Sequence, residues 1–316
     1  MIPPSPPAGS APAEPRDVAA LRRLRTSNPD LTPAIDFQLA WLQTERRVDT
    51  RVPLPRTVGA DALCAARLAA GARVLEFDDL VLDWSDVRRL CDQATDLLRR
   101  ADFLEPEVEA RALACLRDAQ SLPIELRRWF DRDAAADAGA AQVWTFGLRP
   151  YLTRAAAALL PRLAAGEWQR ASCLVCGGDA EFAAWNGGGR RLVCGRCAAQ
   201  WPFDPARCPH CLDASEASRQ SFSDPSRMYR VEACTRCRRY VKGLDEERAG
   251  RTVLVAYDPI ATIPLDAATA NPALTTLSAS WPPVAGAHDL CFEFASRGND
   301  PLWAIESVRL SSAPGR

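Results

Sequence analysis

Four Cys-x-x-Cys pairs within a stretch of 65 residues constrain this chain more than any other feature. The 316 residues include 12 cysteines, and random placement would give only about half of one such pair. Two thiolates three residues apart in a tight turn can bind the same tetrahedral ion, and a second pair completes the ligand shell. The pattern therefore predicts two metal sites built from eight cysteines: Cys173, Cys176, Cys194, Cys197, Cys208, Cys211, Cys234 and Cys237.

The order of the pairs predicts how they combine. Taken sequentially, they give C-x2-C-x17-C-x2-C and then C-x2-C-x22-C-x2-C, which makes two similar modules in tandem. The alternative is interleaved pairing, in which Cys194 and Cys197 share an ion with Cys208 and Cys211. Disulfides are disfavoured because they require an oxidising compartment, and a dithiol redox motif would explain one pair but not four.

Four thiolates around one ion indicate zinc or a single iron, and ligand type alone does not separate the two. A site with no open position is not expected to activate water, but it can stabilise a module whose apolar core is too small. Strand-like runs at 181–185, 191–193 and 228–232 predict short hairpins next to the cysteines, as in zinc ribbons and rubredoxins. His210 lies between two cysteines and is expected to contact the site or solvent rather than to bind the ion.

The residues before the cysteines have a helical period. Predicted helices lie at 36–48, 60–70, 85–100, 106–119 and 123–133, with Ser85 as a cap and Pro150 and Pro161 as breaks in a later alanine-rich stretch. The predicted fold is α+β, with five parts: a disordered tail (1–15), a helical domain (16–171), a first tetrathiolate module (172–205), a second tetrathiolate module (206–250) and a C-terminal segment without an assigned structure (251–316). In that last segment, 252–256 is a candidate strand.

Several other groups in the helical half are expected to be structural. The unpaired cysteines are interpreted as small buried hydrophobic residues: Cys64, Cys91, Cys115 and Cys291. An acidic cluster is interpreted as a solvated loop and helix start: Asp78, Asp79, Asp83 and Asp86. An aromatic group is interpreted as core or as the contact between domains: Trp129, Phe130, Trp144, Phe146 and Tyr151.

Charge and the missing motifs exclude several classes of function. Lys+Arg number 39 against 40 Asp+Glu, and residues 172–250 hold 12 basic against 10 acidic side chains. Since duplex binding depends on phosphate neutralisation, a zinc-ribbon regulator of nucleic acid is the less favoured alternative. No nucleotide-binding glycine motif occurs and only two histidines are present, so an enzyme is not expected. The first residues do not resemble a signal peptide, and no run of eighteen apolar residues occurs, which predicts a cytoplasmic protein without a membrane span.

The motifs around the cysteines resemble those of a known family. They are Arg149-Pro150-Tyr151-Leu152, Cys173-Leu174-Val175-Cys176-Gly177-Gly178, Cys194-Gly195-Arg196-Cys197, Cys208-Pro209-His210-Cys211 and Glu232-Ala233-Cys234-Thr235-Arg236-Cys237 followed by Tyr240-Val241-Lys242. Over residues 149–245 the chain resembles the formate dehydrogenase accessory proteins of the FdhE type. After Lys242 it departs from the family pattern.

The resemblance implies a helical domain joined to two rubredoxin-like modules, with the eight cysteines as ligands and iron rather than zinc as the metal. It also implies a cytoplasmic, non-catalytic factor that binds the catalytic subunit of a formate dehydrogenase during its maturation. A rubredoxin-like electron-transfer protein is a further alternative, and self-association stays open. Because aromatic and arginine side chains carry much interface energy, we predict a partner surface at 149–171, formed with Trp144, Tyr151, Trp168, Arg149 and Arg154.

Overall fold

A computed structural model describes residues 16–48, 51–133, 135–187 and 189–250. The predicted tail at 1–15, the candidate strand at 252–256 and Cys291 lie outside these residues. The described part combines a helical half and a mixed six-stranded sheet, so the predicted α+β architecture is confirmed. The exact domain limits stay a prediction.

Within the described residues, seven α-helices make up the first half. They are α1 (Arg16–Ser27), α2 (Thr32–Arg46), α3 (Asp61–Ala69), α4 (Trp84–Arg100), α5 (Pro106–Arg117), α6 (Ser121–Asp131) and α7 (Ala141–Leu159). The periodicity located five of them within a few residues. The largest difference is at the start of α2, which begins four residues before its predicted start. The predicted cap of α4 was wrong: Asp83, not Ser85, caps this helix, because its carboxylate accepts hydrogen bonds from the amides of Ser85 and Asp86.

Pro150 does not break α7, contrary to the sequence prediction. It lies inside α7, which continues to Leu159. A proline inside a helix removes one backbone hydrogen bond and crowds the preceding turn. Here the helix is held by burial instead, since ten of its residues are buried. Tertiary packing of an apolar helix outweighs the loss of a single hydrogen bond.

The helical core is centred on the contact between α4 and α7. Leu90, Cys91 and Ala94 of α4 and Leu148 of α7 are fully buried. The expectation that Cys64 and Cys91 are small core residues is confirmed. At the centre of the contact Gly147 of α7 faces Cys91, and a Cβ on Gly147 would overlap the Cys91 sulfur.

The acidic cluster is divided among several structural contacts. Asp78 pairs with Arg127, and Asp79 pairs with Arg67 at 2.7 Å. Asp83 caps α4, and Asp86 pairs with Arg89. These carboxylates therefore fix loops and helix ends, as the structural interpretation expected, but Asp86 is buried rather than solvated.

In the part of the chain that the structure describes, six strands form one sheet with the order β3-β2-β1-β6-β5-β4. Their bounds are β1 (Ala180–Asn186), β2 (Gly189–Cys194), β3 (Gln200–Pro202), β4 (Arg219–Ser223), β5 (Tyr229–Cys234) and β6 (Arg239–Asp245), with a short helix α8 (Glu246–Ala249) after β6. The first three strands follow one another as antiparallel neighbours, and so do the last three. A parallel pairing of β1 with β6 joins the two halves, so the two tandem modules share a single sheet.

Arg190 of β2 fastens the two halves of the sheet together. Its side chain is 1% exposed and pairs with Glu232 of β5 at 2.7 Å. It also donates to the backbone oxygens of Asp204 and Arg207 at 2.6 Å and lies over the ring of Phe203. A buried guanidinium is costly unless paired and hydrogen-bonded. These contacts satisfy Nη1 and Nη2 of Arg190, whereas its buried Nε has no hydrogen-bond partner among the described residues.

The predicted partner surface at 149–171 is wrong. Trp144, Tyr151 and Trp168 are 1%, 3% and 6% exposed and belong to the core. Arg149 pairs with Glu45 at 3.2 Å. The rings therefore stabilise the interior, which was the structural interpretation of this aromatic group. Among the described helices, none has the length and apolar character needed to cross a membrane.

The contact between Gly147 and Cys91 generates a test of the core. Gly147→Ala should raise the helix propensity of α7 by about 1 kcal/mol, yet we expect a net destabilisation of about 1–3 kcal/mol because the methyl group overpacks the core. The double variant, which combines Cys91→Ala with Gly147→Ala, should recover most of the lost stability, because it removes the overlapping sulfur. Denaturant unfolding of the wild type, both single variants and the double variant measures the coupling. Additive effects of the two substitutions would contradict the packing described here.

Candidate metal centres

The four Cys-x-x-Cys turns share one backbone conformation. In each, the amide that follows the second cysteine donates to the carbonyl of the first cysteine. The four bonds are Gly177 to Cys173 (2.9 Å), Ala198 to Cys194 (3.1 Å), Leu212 to Cys208 (3.0 Å) and Arg238 to Cys234 (2.8 Å). We call these four turns the cysteine knuckles. Their common geometry points both sulfurs of a pair towards the same place.

Each knuckle ends on a residue in the left-handed backbone region. The φ angles are 73° at Gly177, 58° at Ala198, 61° at Leu212 and 58° at Arg238. Only the glycine adopts this region without a steric cost, and the other residue types lose about 1–2 kcal/mol each. Such strain persists where the surroundings impose it. The requirement that both thiols face one point accounts for it here.

The first candidate site combines the knuckles before β1 and after β2. The sulfurs of Cys173 and Cys197 lie 3.5 Å apart, as do those of Cys176 and Cys194, and all four ligand atoms lie within 4.8 Å of one another. A tetrahedron with metal–sulfur bonds of about 2.3 Å has sulfur–sulfur edges of about 3.8 Å. The four thiols therefore fit a tetrahedral ion without rearrangement of the chain.

The second candidate site combines the knuckles before β4 and after β5. Its sulfur–sulfur distances are 3.8 Å between Cys208 and Cys237 and 3.7 Å between Cys211 and Cys234. The structure thus groups the cysteines in sequential pairs and not in the interleaved arrangement. His210 stands outside the cluster, and its Nε2 donates to the backbone oxygen of Tyr240 at 3.0 Å.

The two sites differ in their access to solvent. All four cysteines of the first site are buried, whereas Cys211 and Cys237 of the second site are half-buried. Burial raises the pKa of the Cys173 and Cys197 thiols. At Cys234, burial is outweighed by hydrogen bonds from neighbouring amides, which lower its pKa to about 7. Each site thus contains thiols of both kinds, since hydrogen bonds from the neighbouring cysteines lower the pKa of Cys176 in the first site and burial raises the pKa of Cys208 in the second site to about 12.

Backbone amides donate hydrogen bonds to the sulfurs in both sites. The amide of Val175 donates to Cys173 Sγ at 3.3 Å, and that of Arg196 donates to Cys194 Sγ at 3.4 Å. In the second site the amide of His210 donates to Cys208 Sγ at 3.4 Å. Such bonds stabilise negative charge on sulfur and tune the potential of a bound redox metal.

The first site also joins the sheet to the helical half. Val74 and Leu75 donate backbone hydrogen bonds to the carbonyls of Leu174 and Val175, at 2.9 and 3.0 Å. The first knuckle is therefore paired, residue by residue, with the segment that precedes α4. A structural change in this knuckle should therefore weaken the backbone hydrogen bonds of the segment before α4, because the two segments share them.

Arginines complete this junction at the end of α6. Arg196, inside the second knuckle, donates to the carbonyls of Trp129 and Phe130 at 2.9 and 3.1 Å and lies 4.0 Å above the Trp129 ring. Carbonyls in the last turn of a helix lack intrahelical hydrogen-bond donors. The guanidinium of Arg196 donates to two of these carbonyls in α6. Arg132, just after α6, donates to the Gly177 carbonyl at 3.1 Å. Although the carboxyl of Asp179 is partly buried, its hydrogen bonds from Arg132 and Arg239 hold its pKa below its usual value.

Sequence reasoning missed these arginines. The chain has a single lysine among 39 basic residues, so an arginine at any one position carries little information. The only usable signal was the position of Arg196 inside a Cys-x-x-Cys turn.

The junction predicts that the two sites are not equivalent. Cys176→Ser should remove one bound ion and speed amide exchange by at least about tenfold at 74–75 and in the last turn of α6. Cys211→Ser should remove the other ion and leave exchange at those amides unchanged, because its knuckle contributes none of these contacts. Metal analysis and hydrogen exchange measure both effects. Equal changes in the helical half for the two variants would contradict the assignment of the junction to the first site.

Comparison with known proteins points to one family. No protein-family model matches the chain. Curated relatives named FdhE homolog are 33% identical over 118 residues in Pectobacterium atrosepticum and 32% identical over 117 residues in Edwardsiella ictaluri. These matches cover 35% of this chain, and the chain spans little more than a third of the length of the relatives (37% and 38%).

A solved structure was also matched. The crystal structure of the FdhE protein from Pseudomonas aeruginosa aligns with a TM-score of 0.48 and 18% identity, over 74% of this chain and 82% of that one. The identity to the curated relatives, together with the Cys-x-x-Cys motifs predicted to carry the likeness, confirms the resemblance of this chain to the FdhE family.

Proposed function

We propose that this protein is a non-catalytic accessory factor of the FdhE type, which binds the catalytic subunit of a formate dehydrogenase during its maturation in the cytoplasm. The observation that carries the proposal is the pair of four-thiol sites with matched knuckles in a chain that has curated relatives named FdhE homolog. A closed four-thiolate site leaves no position for a substrate at the metal. It suits a protein that recognises a partner better than one that transforms a small molecule.

The same proposal assigns two metal ions per chain to the eight cysteines. The first ion would be held by Cys173, Cys176, Cys194 and Cys197, and the second by Cys208, Cys211, Cys234 and Cys237. Iron is the favoured metal and zinc the alternative. When bound, either ion stabilises the knuckles, and iron adds the capacity to change oxidation state.

Electron transfer is a second candidate role, and the second site favours it. Its two half-buried cysteines bring the ion close to the protein surface, and solvent exposure is one of the factors that set the potential of such a centre. A zinc-loaded form separates the two roles. It should keep the fold and the partner if the ions are structural, and lose function with the fold intact if they carry electrons.

Nucleic-acid binding has less support. Around the second site two of the basic side chains are engaged within the protein, since Arg236 pairs with Asp213 and Arg239 with Asp179. Phosphate neutralisation needs free cations. A strong, salt-dependent shift of generic DNA at physiological salt would reverse this ranking.

The accessory role predicts direct capture of the partner. A tagged formate dehydrogenase catalytic subunit from the same source, expressed together with this chain and purified without oxygen, should retain it. Cys176→Ser should weaken capture more than Cys91→Ala, a control that changes a buried cysteine of the helical core. Immunodetection of this chain in the eluate provides the measurement. If the wild-type chain is absent from the eluate under reducing conditions, the accessory role is wrong.

A further inference from the structure

Each candidate site has an arginine at the same position in the knuckle that follows a strand. Arg196 lies in Cys194-Gly195-Arg196-Cys197 at the end of β2, and Arg236 lies in Cys234-Thr235-Arg236-Cys237 at the end of β5. Both arginines therefore stand one residue before the last cysteine of their knuckle. Their surroundings differ, and so does the charge that they bring to the sulfurs.

The guanidinium of Arg196 is held at the first site without a carboxylate partner. Arg196 is half-buried, and its side-chain hydrogen bonds go to neutral carbonyls at the end of α6. Among the residues that the structure describes, none forms an ion pair with it. A Cβ on Gly178 would lie 2.8 Å from Arg196 Cδ and 3.0 Å from Cys194 Sγ, so the arginine stem and this sulfur border the same space. Burial lowers the pKa of Arg196, and the nearby charges of Cys176 and Cys194 oppose that shift.

The corresponding arginine of the second site is neutralised. The side chain of Arg236 is 68% exposed and pairs with Asp213 at 2.7 Å. Its hydrogen bond to Asp213 raises the pKa of Arg236. Arg238, just after the same knuckle, is exposed as well. Water screens exposed charges, and a carboxylate partner cancels most of what remains, so neither arginine brings a comparable charge to the sulfurs of the second site.

The other charged groups beside the first site balance one another or face water. Two sets of three paired side chains lie there with opposite net charges: Arg132, Asp179 and Arg239 in one, and Arg73, Glu76 and Asp131 in the other. The carboxylate of Glu181 lies close to Gly195, but Glu181 is exposed and water screens its charge. Arg196 is therefore the cation that its neighbours leave uncompensated.

We propose that Arg196 is the counter-cation of the first site and favours a divalent over a trivalent metal ion there. Four thiolates around a divalent ion carry one more negative charge than the same thiolates around a trivalent ion. A nearby cation stabilises the more negative of the two states more strongly, and it does so most where water is excluded. This inference deepens the proposed function, because it rests on the metal ions assigned there to the eight cysteines. It does not depend on the identity of the protein partner.

A redox titration of the full chain loaded with iron tests the proposal. The mediator supplies one electron to each Fe3+, which becomes Fe2+ with the same four sulfur ligands. Arg196→Gln should lower the ratio of Fe2+ to Fe3+ at one of the two sites by about tenfold at a given potential, which is a shift of about 59 mV. Arg196→Lys is the matched control: it also loses the forked guanidinium, but it keeps the positive charge and should leave the ratio unchanged.

Further variants identify the site that responds. Cys211→Ser empties the second site, and the remaining iron should still respond to Arg196→Gln. Arg236→Gln combined with Asp213→Asn removes a neutral pair and should leave both redox steps unchanged. Circular dichroism and metal content check that each variant is folded. Competition between Zn2+ and Ga3+ provides a measurement without a change of oxidation state, and Arg196→Gln should shift it towards Ga3+ at one site by about tenfold.

The outcomes separate this inference from the proposed function. Equal shifts in Arg196→Gln and Arg196→Lys would mean that Arg196 acts through its hydrogen bonds and not through its charge. An unchanged ratio in Arg196→Gln would mean that its charge does not reach the metal. Either result overturns the inference and leaves the assignment of two ions intact. If the wild-type chain retains none of the three metals, the metal assignment of the proposed function fails and the inference fails with it.

Discussion

The rest of this structure depends on the two sites in which four sulfur atoms lie within 4.8 Å of one another. As thiolates they repel one another, and buried charge is expensive unless it is paired. A cation between them converts the repulsion into attraction. The knuckle that delivers each pair requires a left-handed residue after the second cysteine, even where that residue is Leu212 or Arg238. Metal binding would therefore offset both the repulsion between the thiolates and the backbone strain of the knuckles.

The sheet follows from the knuckles. Those at Cys194 and Cys234 lie at the ends of β2 and β5 and reverse the chain into β3 and β6. The other two lead from the preceding segments towards β1 and β4. Two such units, each with one four-thiol site, become one sheet through the parallel pairing of β1 with β6 and through the buried Arg190. The first site then acquires a second role, because its knuckles are bonded to the helical half while the second site lies nearer the solvent.

Sequence alone predicted the parts of this protein that depend on local spacing. The pairs of thiols follow from the Cys-x-x-Cys spacing, and five helices follow from apolar periodicity. The parallel β1–β6 pair was not predicted, because nothing local marks which strands of two modules meet. The left-handed Ala198 was missed because its residue type does not favour that conformation. Pro150 was misjudged because the burial that sustains α7 arises only in the folded protein. The surface at 149–171 was wrong for the same reason, since aromatic residues can serve a core or an interface equally well.

The central claim is that each set of four thiols holds one metal ion. X-ray absorption spectroscopy on protein purified without oxygen, combined with elemental analysis, tests it directly. The account predicts two ions per chain, each surrounded by four sulfur atoms at about 2.3 Å. Fewer than one ion per chain with the cysteines present as disulfides, or a ligand shell dominated by nitrogen and oxygen, would contradict it.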